Sequence, residues 1–474
     1  MQELLQKQLS HGKILYALLL KLNEMVGVDK MNNDSCLPLG EKIKHIRAIK
    51  GISQENMARA IKSNQSHVHR IEQGQVECSA DMLAAIKKFL EIEKAPLLKD
   101  ELSIYRHRIW VWDNLLNNNR LAEAADIQAE LSSILDLPFE HDLCLLFTMI
   151  KVKRLIIERN IHGAEEAVNE VESLTDNASN EALYMFHRNK GILSSLRGDI
   201  VTGLRHYLNA HDLTGDNLNQ DAAVLTADIG AQYLRLGRPY NAMIYLERAY
   251  KESYGNNANN VRAKISNALA ITYTCLGEYD KAKKIFDESI GQAKSVNDNV
   301  QIGSILSSIG LHKIKSGSYK DGIGLCDQAL HYMQSSDFLN NVYVGNKGFS
   351  NNPHTTIVLF NKGLGLLKMK EYAKCQEVLA QGKALAEGDK KASIMFDTLM
   401  HFTTLNENES QKYIENVAIP FFRAGDGFDK FMILDLCKDL EAHYKKKRAK
   451  TKALAIAAIA RDIYEEMFIG EIEI

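Results

Sequence analysis

From about residue 102 onward the apolar positions recur every three to four residues with scarcely a break, the pattern of amphipathic helices laid end to end. Such a run predicts an internal repeat, and small residues mark one. Gly191 is followed at offsets of 12, 16 and 19 by Gly203, Tyr207 and Ala210. The same offsets lead from Gly230 to Ala242, Leu246 and Ala249, and from Ala270 to Ala282, Phe286 and Ser289. They lead again from Gly310 to Gly322, Cys326 and Ala329, and from Gly363 to Cys375, Leu379 and Gly382. The anchors lie 39, 40, 40 and 53 residues apart, and the longest interval holds a Gly-, Asn- and Ser-rich insertion at 344–353 that predicts a loop. Each unit predicts a helical hairpin in which the small residue admits a close approach and the large one fills the gap. A turn and then an aromatic separate the two helices: Gly237 and Tyr240, Gly277 and Tyr279, Gly317 and Tyr319, Lys370 and Tyr372. With weaker copies at 121–131, 163–174, 412–420 and 452–463, about nine hairpins are expected, enough for a superhelix with a concave groove.

Ahead of the array, residues 39–90 hold four short helical patterns, parted by Gly51, by Lys62-Ser63-Asn64 and by the stretch 74–79. Ser53, in front of Gln54-Glu55-Asn56, is a helix N-cap signal. Met57, Ala58 and Ile61 with Val68 and Ile71 form an apolar seam between the second and third patterns. The polar stretch 31–38 reads as a linker. The expected division is therefore an extension at 1–36, a small helical domain at 37–94, a linker at 95–104 with a hinge near Pro96, and the repeats at 105–474. Met31 is an alternative start. The fold class is all-α.

Charge adds one thing. The chain carries 58 basic and 60 acidic side chains, net −2, so any surface for a polyanion must be local. Between Leu39 and Lys94 ten Lys and Arg stand against seven Asp and Glu, net +3. The seven cysteines are scattered with no C-x-x-C pair, which predicts neither disulfides nor a zinc site and fits a reducing cytoplasm. The apolar run 14–20 is far short of the roughly 20 residues a membrane span needs, so no membrane partner is expected.

The segments Leu39-Gly-Glu-Lys-Ile-Lys-His-Ile-Arg47, Ile52-Ser-Gln-Glu-Asn-Met-Ala-Arg-Ala-Ile61 and Gln65-Ser-His-Val-His-Arg-Ile-Glu-Gln-Gly74 resemble the first three helices of the Cro/C1-repressor, or XRE, helix-turn-helix. The free face of the third helix offers Asn64, Gln65, Ser66, His69 and Arg70. A side chain there can reach base edges in the major groove, Gln pairing with adenine and Arg with guanine. Gln54 resembles the family residue that holds a backbone phosphate at the start of the second helix. Where the family often opens its third helix with a basic residue, this chain has Gln65.

The stretch Cys275-Leu-Gly-Glu-Tyr-Asp-Lys-Ala282 resembles the turn of a tetratricopeptide repeat, although the period of 40 exceeds that family's 34 and is shared by HEAT and armadillo repeats. An XRE-like head on such an array resembles the peptide-responsive quorum-sensing regulators of Gram-positive bacteria, the Rap, NprR, PlcR and PrgX group. The resemblance implies double-stranded DNA and a short signalling peptide as partners, a homodimer and a cytoplasmic location. Candidate peptide contacts are the residues just before each anchor, Arg188, Asn189, Asp228, Asn267, Ser308 and Asn361, with Arg235, Lys264 and Lys315 for a carboxylate. A protein-interaction scaffold or a phosphorelay modulator is the alternative. No phosphate loop, zinc-protease helix or nucleophile elbow is present, Gly363-Leu-Gly365 lacks the third glycine of a dinucleotide site, and neither an enzyme, a cofactor nor a metal is expected.

Overall fold

A computed structural model describes residues 38–117, 120–135, 141–214, 220–255, 259–334, 353–424 and 427–468. The N-terminal extension and all of the insertion before Pro353 lie outside the described residues. Every regular element among those described is helical. The chain divides into two compact units, 1–189 and 190–474.

Unit one begins with four short helices: α1 (Leu39–Ile49), α2 (Gln54–Ala60), α3 (Gln65–Glu72) and α4 (Ala80–Phe89). Three of them start at a polar N-cap, of which the sequence marks Ser53. Ser53 Oγ accepts from the amide of Asn56 at 3.1 Å, Asn64 Oδ1 from His67 at 2.8 Å and Ser79 Oγ from Met82 at 3.3 Å, each satisfying an amide the helix leaves unpaired. The expected seam is the core: Met57, Ala58, Ile61, Val68 and Ile71 are buried together with Ile43, Ile46, Leu83 and Ile86. Gly40 permits the tightest approach, since a Cβ there would lie 2.1 Å from the carbonyl oxygen of Ile71.

The stretch 95–104, expected as a linker, is folded. Ala95, Pro96 and Leu97 are buried, the first and last within the bundle core, and the next helix, α5 (Lys99–Asn117), starts at once. Glu101 accepts the amides of Leu97 and Leu98 at 2.9 and 3.0 Å and pairs with Lys87 at 2.8 Å. Lys42, almost wholly buried, donates to the Leu97 carbonyl at 3.1 Å. A hydrogen-bonded corner thus stands where sequence suggested a hinge. After it come α6 (Leu121–Leu135), α7 (His141–Ile157), α8 (Ile161–Val171) and the start of α9 (Asn180–Leu196). Arg106 of α5 binds Asp142 of α7 and Glu181 of α9, which also accepts from Trp110 Nε1 at 2.9 Å.

Unit two is a succession of hairpins: the end of α9 with α10 (Ile200–Asp212), then α11 (Gln220–Arg235) with α12 (Pro239–Glu252), α13 (Asn259–Cys275) with α14 (Tyr279–Ser295), α15 (Asn299–Lys315) with α16 (Tyr319–Gln334), and α17 (Pro353–Lys368) with α18 (Tyr372–Leu385). Helix α19 (Lys390–Thr403) packs on α20 (Asn408–Tyr413) and on a π-turn at Ile414–Ala418, which α21 (Ile419–Arg423) continues. The hairpin of α22 (Gly427–Lys446) and α23 (Lys450–Phe468) follows. The anchor glycines work as the offsets predict. A Cβ on Gly191, Gly230 or Gly363 would meet the side chain of Tyr207, Leu246 or Leu379 at 2.8, 2.6 and 2.5 Å. Cys375 comes close enough to donate its Sγ–H to the Gly363 carbonyl at 3.3 Å. The four turns that the sequence marks are each made by a left-handed residue, Gly237, Gly277 and Gly317 at φ 74, 79 and 92°, and Lys370 at 63°.

Candidate nucleic-acid interface and repeat groove

The outward side of α3 is polar and its inward side apolar. Val68 and Ile71 are buried at 0 and 2% exposure, while Asn64, Gln65, Ser66, His69 and Arg70 are exposed and His67 is half-buried against the seam. Asn64 has a second task as the N-cap of α3, so its carbonyl oxygen is committed to the His67 amide.

Gln54 is held from behind. Its amide donates to Glu72 Oε2 at 2.7 Å and lies 3.5 Å from His69 Nδ1. Glu72 itself is fully buried and receives Arg47 Nε at 2.5 Å and Nη2 at 3.0 Å, while Arg47 Nη1 donates to the Ile52 carbonyl at 2.7 Å. This network joins α1, the α1–α2 turn, α2 and α3, and so fixes the angle at which α3 is presented. Arg47 and Glu72 stand within the sequence motif without a local signal for this role, because nothing local tells a buried pair from two solvated charges.

In the repeats the candidate residues differ in burial and in what holds them. Asn189 and Asn361, two positions before their anchors, are buried and face the preceding hairpin instead of solvent. Asn189 Nδ2 donates to the Met149 carbonyl at 2.7 Å within unit one, and Asn361 Nδ2 to Ser307 Oγ at 3.2 Å within unit two. The same repeat position therefore does the same work, tying one hairpin to the one before. Arg235 Nη1 donates to the Ser195 carbonyl at 3.2 Å, and the hydroxyl of Ser308 turns back to the Ser304 carbonyl at 3.1 Å. Lys264 is exposed. Asn267 is half-exposed, with its carbonyl oxygen buried and unbonded, and Arg188 and Asp228 are half-exposed.

Lys315 is paired across 120 residues with Asp435 of α22, at 2.8 Å. Burial works against its charge, but Asp435, with Cys275 and Tyr279 close by, more than offsets it and holds the ammonium above its ordinary pKa. Burial meanwhile pushes the Cys275 thiol up to about 11. One turn further along α22, Asp439 pairs with Lys368 at 2.5 Å. A repeat signal existed here too: Arg235, Cys275, Lys315 and Lys368 all stand five residues after their anchors, each at the last position of its first helix. Among the described residues no group of His, Cys, Asp and Glu could hold a metal ion, and no helix is long and apolar enough to cross a membrane.

No protein-family model and no curated protein matches the sequence. Solved structures do match. A Rap protein complexed with competence and sporulation factor aligns over 77% of this chain and 99% of its own at a TM-score of 0.64 and 15% identity. NprR in complex with its cognate peptide NprX aligns over 76% and 99% at 0.58 and 16%. The apo form of the quorum sensor NprR from B. thuringiensis aligns over 76% and 98% at 0.57 and 17%. At these identities the likeness is one of fold: the chain has the all-α, tetratricopeptide-like fold of those proteins.

Proposed function

We propose that this chain is a DNA-binding transcription regulator, acting as a dimer, whose helical hairpins sense a short signalling peptide inside the cell. The observation that carries the DNA half is the two-sided character of α3: an apolar side sunk in the bundle and an exposed side of Gln65, Ser66, His69 and Arg70, with Gln54 braced beside it by Glu72. Gln65 and Arg70 discriminate bases, and Gln54 takes a phosphate. Two heads of a dimer read half-sites about one DNA turn apart. For the peptide half, the support is the fold shared with a Rap protein and an NprR solved with a bound factor or cognate peptide. Lys264, exposed, and Asn267, Asp228 and Ser308, half-exposed, supply main-chain and charge contacts, and Asn189 and Asn361 keep the hairpins in register.

The test is anisotropy titration of DNA from upstream of the gene, at two salt concentrations, with the wild type and Gln65→Ala/Arg70→Ala. Each lost base contact is worth about 1–3 kcal/mol, so the double variant should bind at least about thirtyfold more weakly with its fold intact. A protein-interaction scaffold would be indifferent to the change. Equal, weak, low-salt binding by both proteins, with no site recovered by genomic selection, would overturn the DNA reading.

A further inference from the structure

The first helices of successive hairpins in unit two end in Arg235, Cys275, Lys315 and Lys368, so one repeat position forms a row. Helix α22 lies along it. Asp435 takes Lys315 and Asp439 takes Lys368, one helical turn on α22 matching one hairpin step of the array. Cys275 lies within the field of Asp435, α22 also touches α11, and the ring of Phe431 sits 6.0 Å from the Lys315 ammonium. The other side of α22 is different. Ile433, Leu436, Cys437, Leu440 and Tyr444 form a buried stripe, and α22 packs on α21 and α23. The acidic side is the wetter one, with Asp435 and Asp439 exposed to 33 and 38%.

We infer that α22 is a self-docked acidic strap: Asp435 and Asp439 occupy a basic site, Lys315 with Lys368, that a carboxylate-bearing peptide takes when the C-terminal hairpin lifts. This rests on the peptide-sensing reading and says how that site is regulated. The half-exposed polar residues Asn267 and Ser308 stand eight and seven residues before Cys275 and Lys315 on the same helices, about 12 and 10 Å along the axis. A peptide lying on them has its acidic end within reach of the lysines the strap now holds. Partly exposed ion pairs contribute at most about fivefold each, so α22 is held firmly enough to be closed at rest and loosely enough to be displaced. The hydrophobic stripe travels with the C-terminal hairpin and is not exposed by the movement.

The test uses the full chain and Asp435→Asn/Asp439→Asn. In hydrogen exchange, amides of α22 should open about tenfold faster in the variant, those of α13–α16 unchanged. The probe is a fluorescein-labelled heptapeptide with two aspartates and a free C-terminus, beside a neutral twin with asparagines and an amidated end. The acidic peptide should bind the variant at least tenfold more tightly than the wild type and the neutral twin should show no such gain. Adding Lys315→Gln/Lys368→Gln should abolish the gain. Unchanged exchange in α22, or equal binding of both peptides, overturns the strap. If the variant binds both peptides alike, peptide sensing survives and the strap fails. If α22 loosens as expected and neither peptide binds, both fail.

Discussion

The head of unit one depends on a buried charge pair, and Glu72→Ala tests how much. Glu72 has no exposed side-chain surface and Arg47 is 13% exposed, so both sit where the removal of one partner strands the other. The substitution takes two of the three hydrogen bonds made by the Arg47 guanidinium, leaving it only the Ile52 carbonyl, and removes the bond from the Gln54 amide to Glu72. Breaking a buried pair in this way costs about 3–5 kcal/mol. The retained carbonyl bond and the residual exposure of Arg47 place this case near the lower end, about 3 kcal/mol, which is roughly a hundredfold in the opening equilibrium. Hydrogen exchange of α1–α3 in the full chain reads it directly, with α13–α16 as an internal reference. The companion variant Arg47→Met/Glu72→Leu removes both charges for apolar groups of similar size and should recover most of the loss, because an unpaired buried charge and not a missing bridge is what destabilises. It should not recover DNA binding, since Gln54 has lost its brace. An opening free energy for Glu72→Ala within about 1 kcal/mol of wild type, or a double variant no better than the single one, would refute the reasoning.

Three further outcomes follow from the geometry. Gly40→Ala puts a Cβ 2.1 Å from a backbone oxygen of α3, which no side-chain rotation relieves, so the bundle should lose about 1–3 kcal/mol and bind DNA poorly; an unchanged exchange profile in α1 and α3 would contradict the close approach. Lys370→Gly puts at φ 63° the residue that the three preceding turns use, and a rise of up to about 1 kcal/mol in stability by urea unfolding is expected, a loss being the opposing result. Burial, with help from Lys313, lowers the pKa of His312, which lies between Thr274, Tyr279 and Phe286, below its ordinary 6.5. The unfolded chain then binds the proton first, so stability is fully present above pH 6.5 and is lost as pH falls through 6.5 towards the lowered folded value; His401 and His443 shift the same way. Urea midpoints at pH 7.5 and 5.5 should differ less in His312→Gln than in wild type.

Sequence alone determined the hairpins and the head. Small residues such as Gly191, Gly230 and Gly363 are legible because a close helix approach admits nothing larger, and the turn glycines because a left-handed backbone excludes most side chains. The buried seam of α2 and α3, the exposure of Gln65 and Arg70, and the cap Ser53 answer the same local rules of period and capping. What escaped local pattern is what joins distant segments. The 93–99 stretch looked like a hinge because it holds a proline and charges, yet Lys42, Lys87 and Glu101 converge on it from other helices. Asn189 and Asn361 looked like groove residues, but whether an amide faces solvent or the preceding hairpin depends on the rotation between units, which sequence does not encode locally. Lys315 was legible as a cation; only the tertiary structure decided that it is held by a carboxylate 120 residues away, because the return of α22 onto the array is set by how all the intervening hairpins stack.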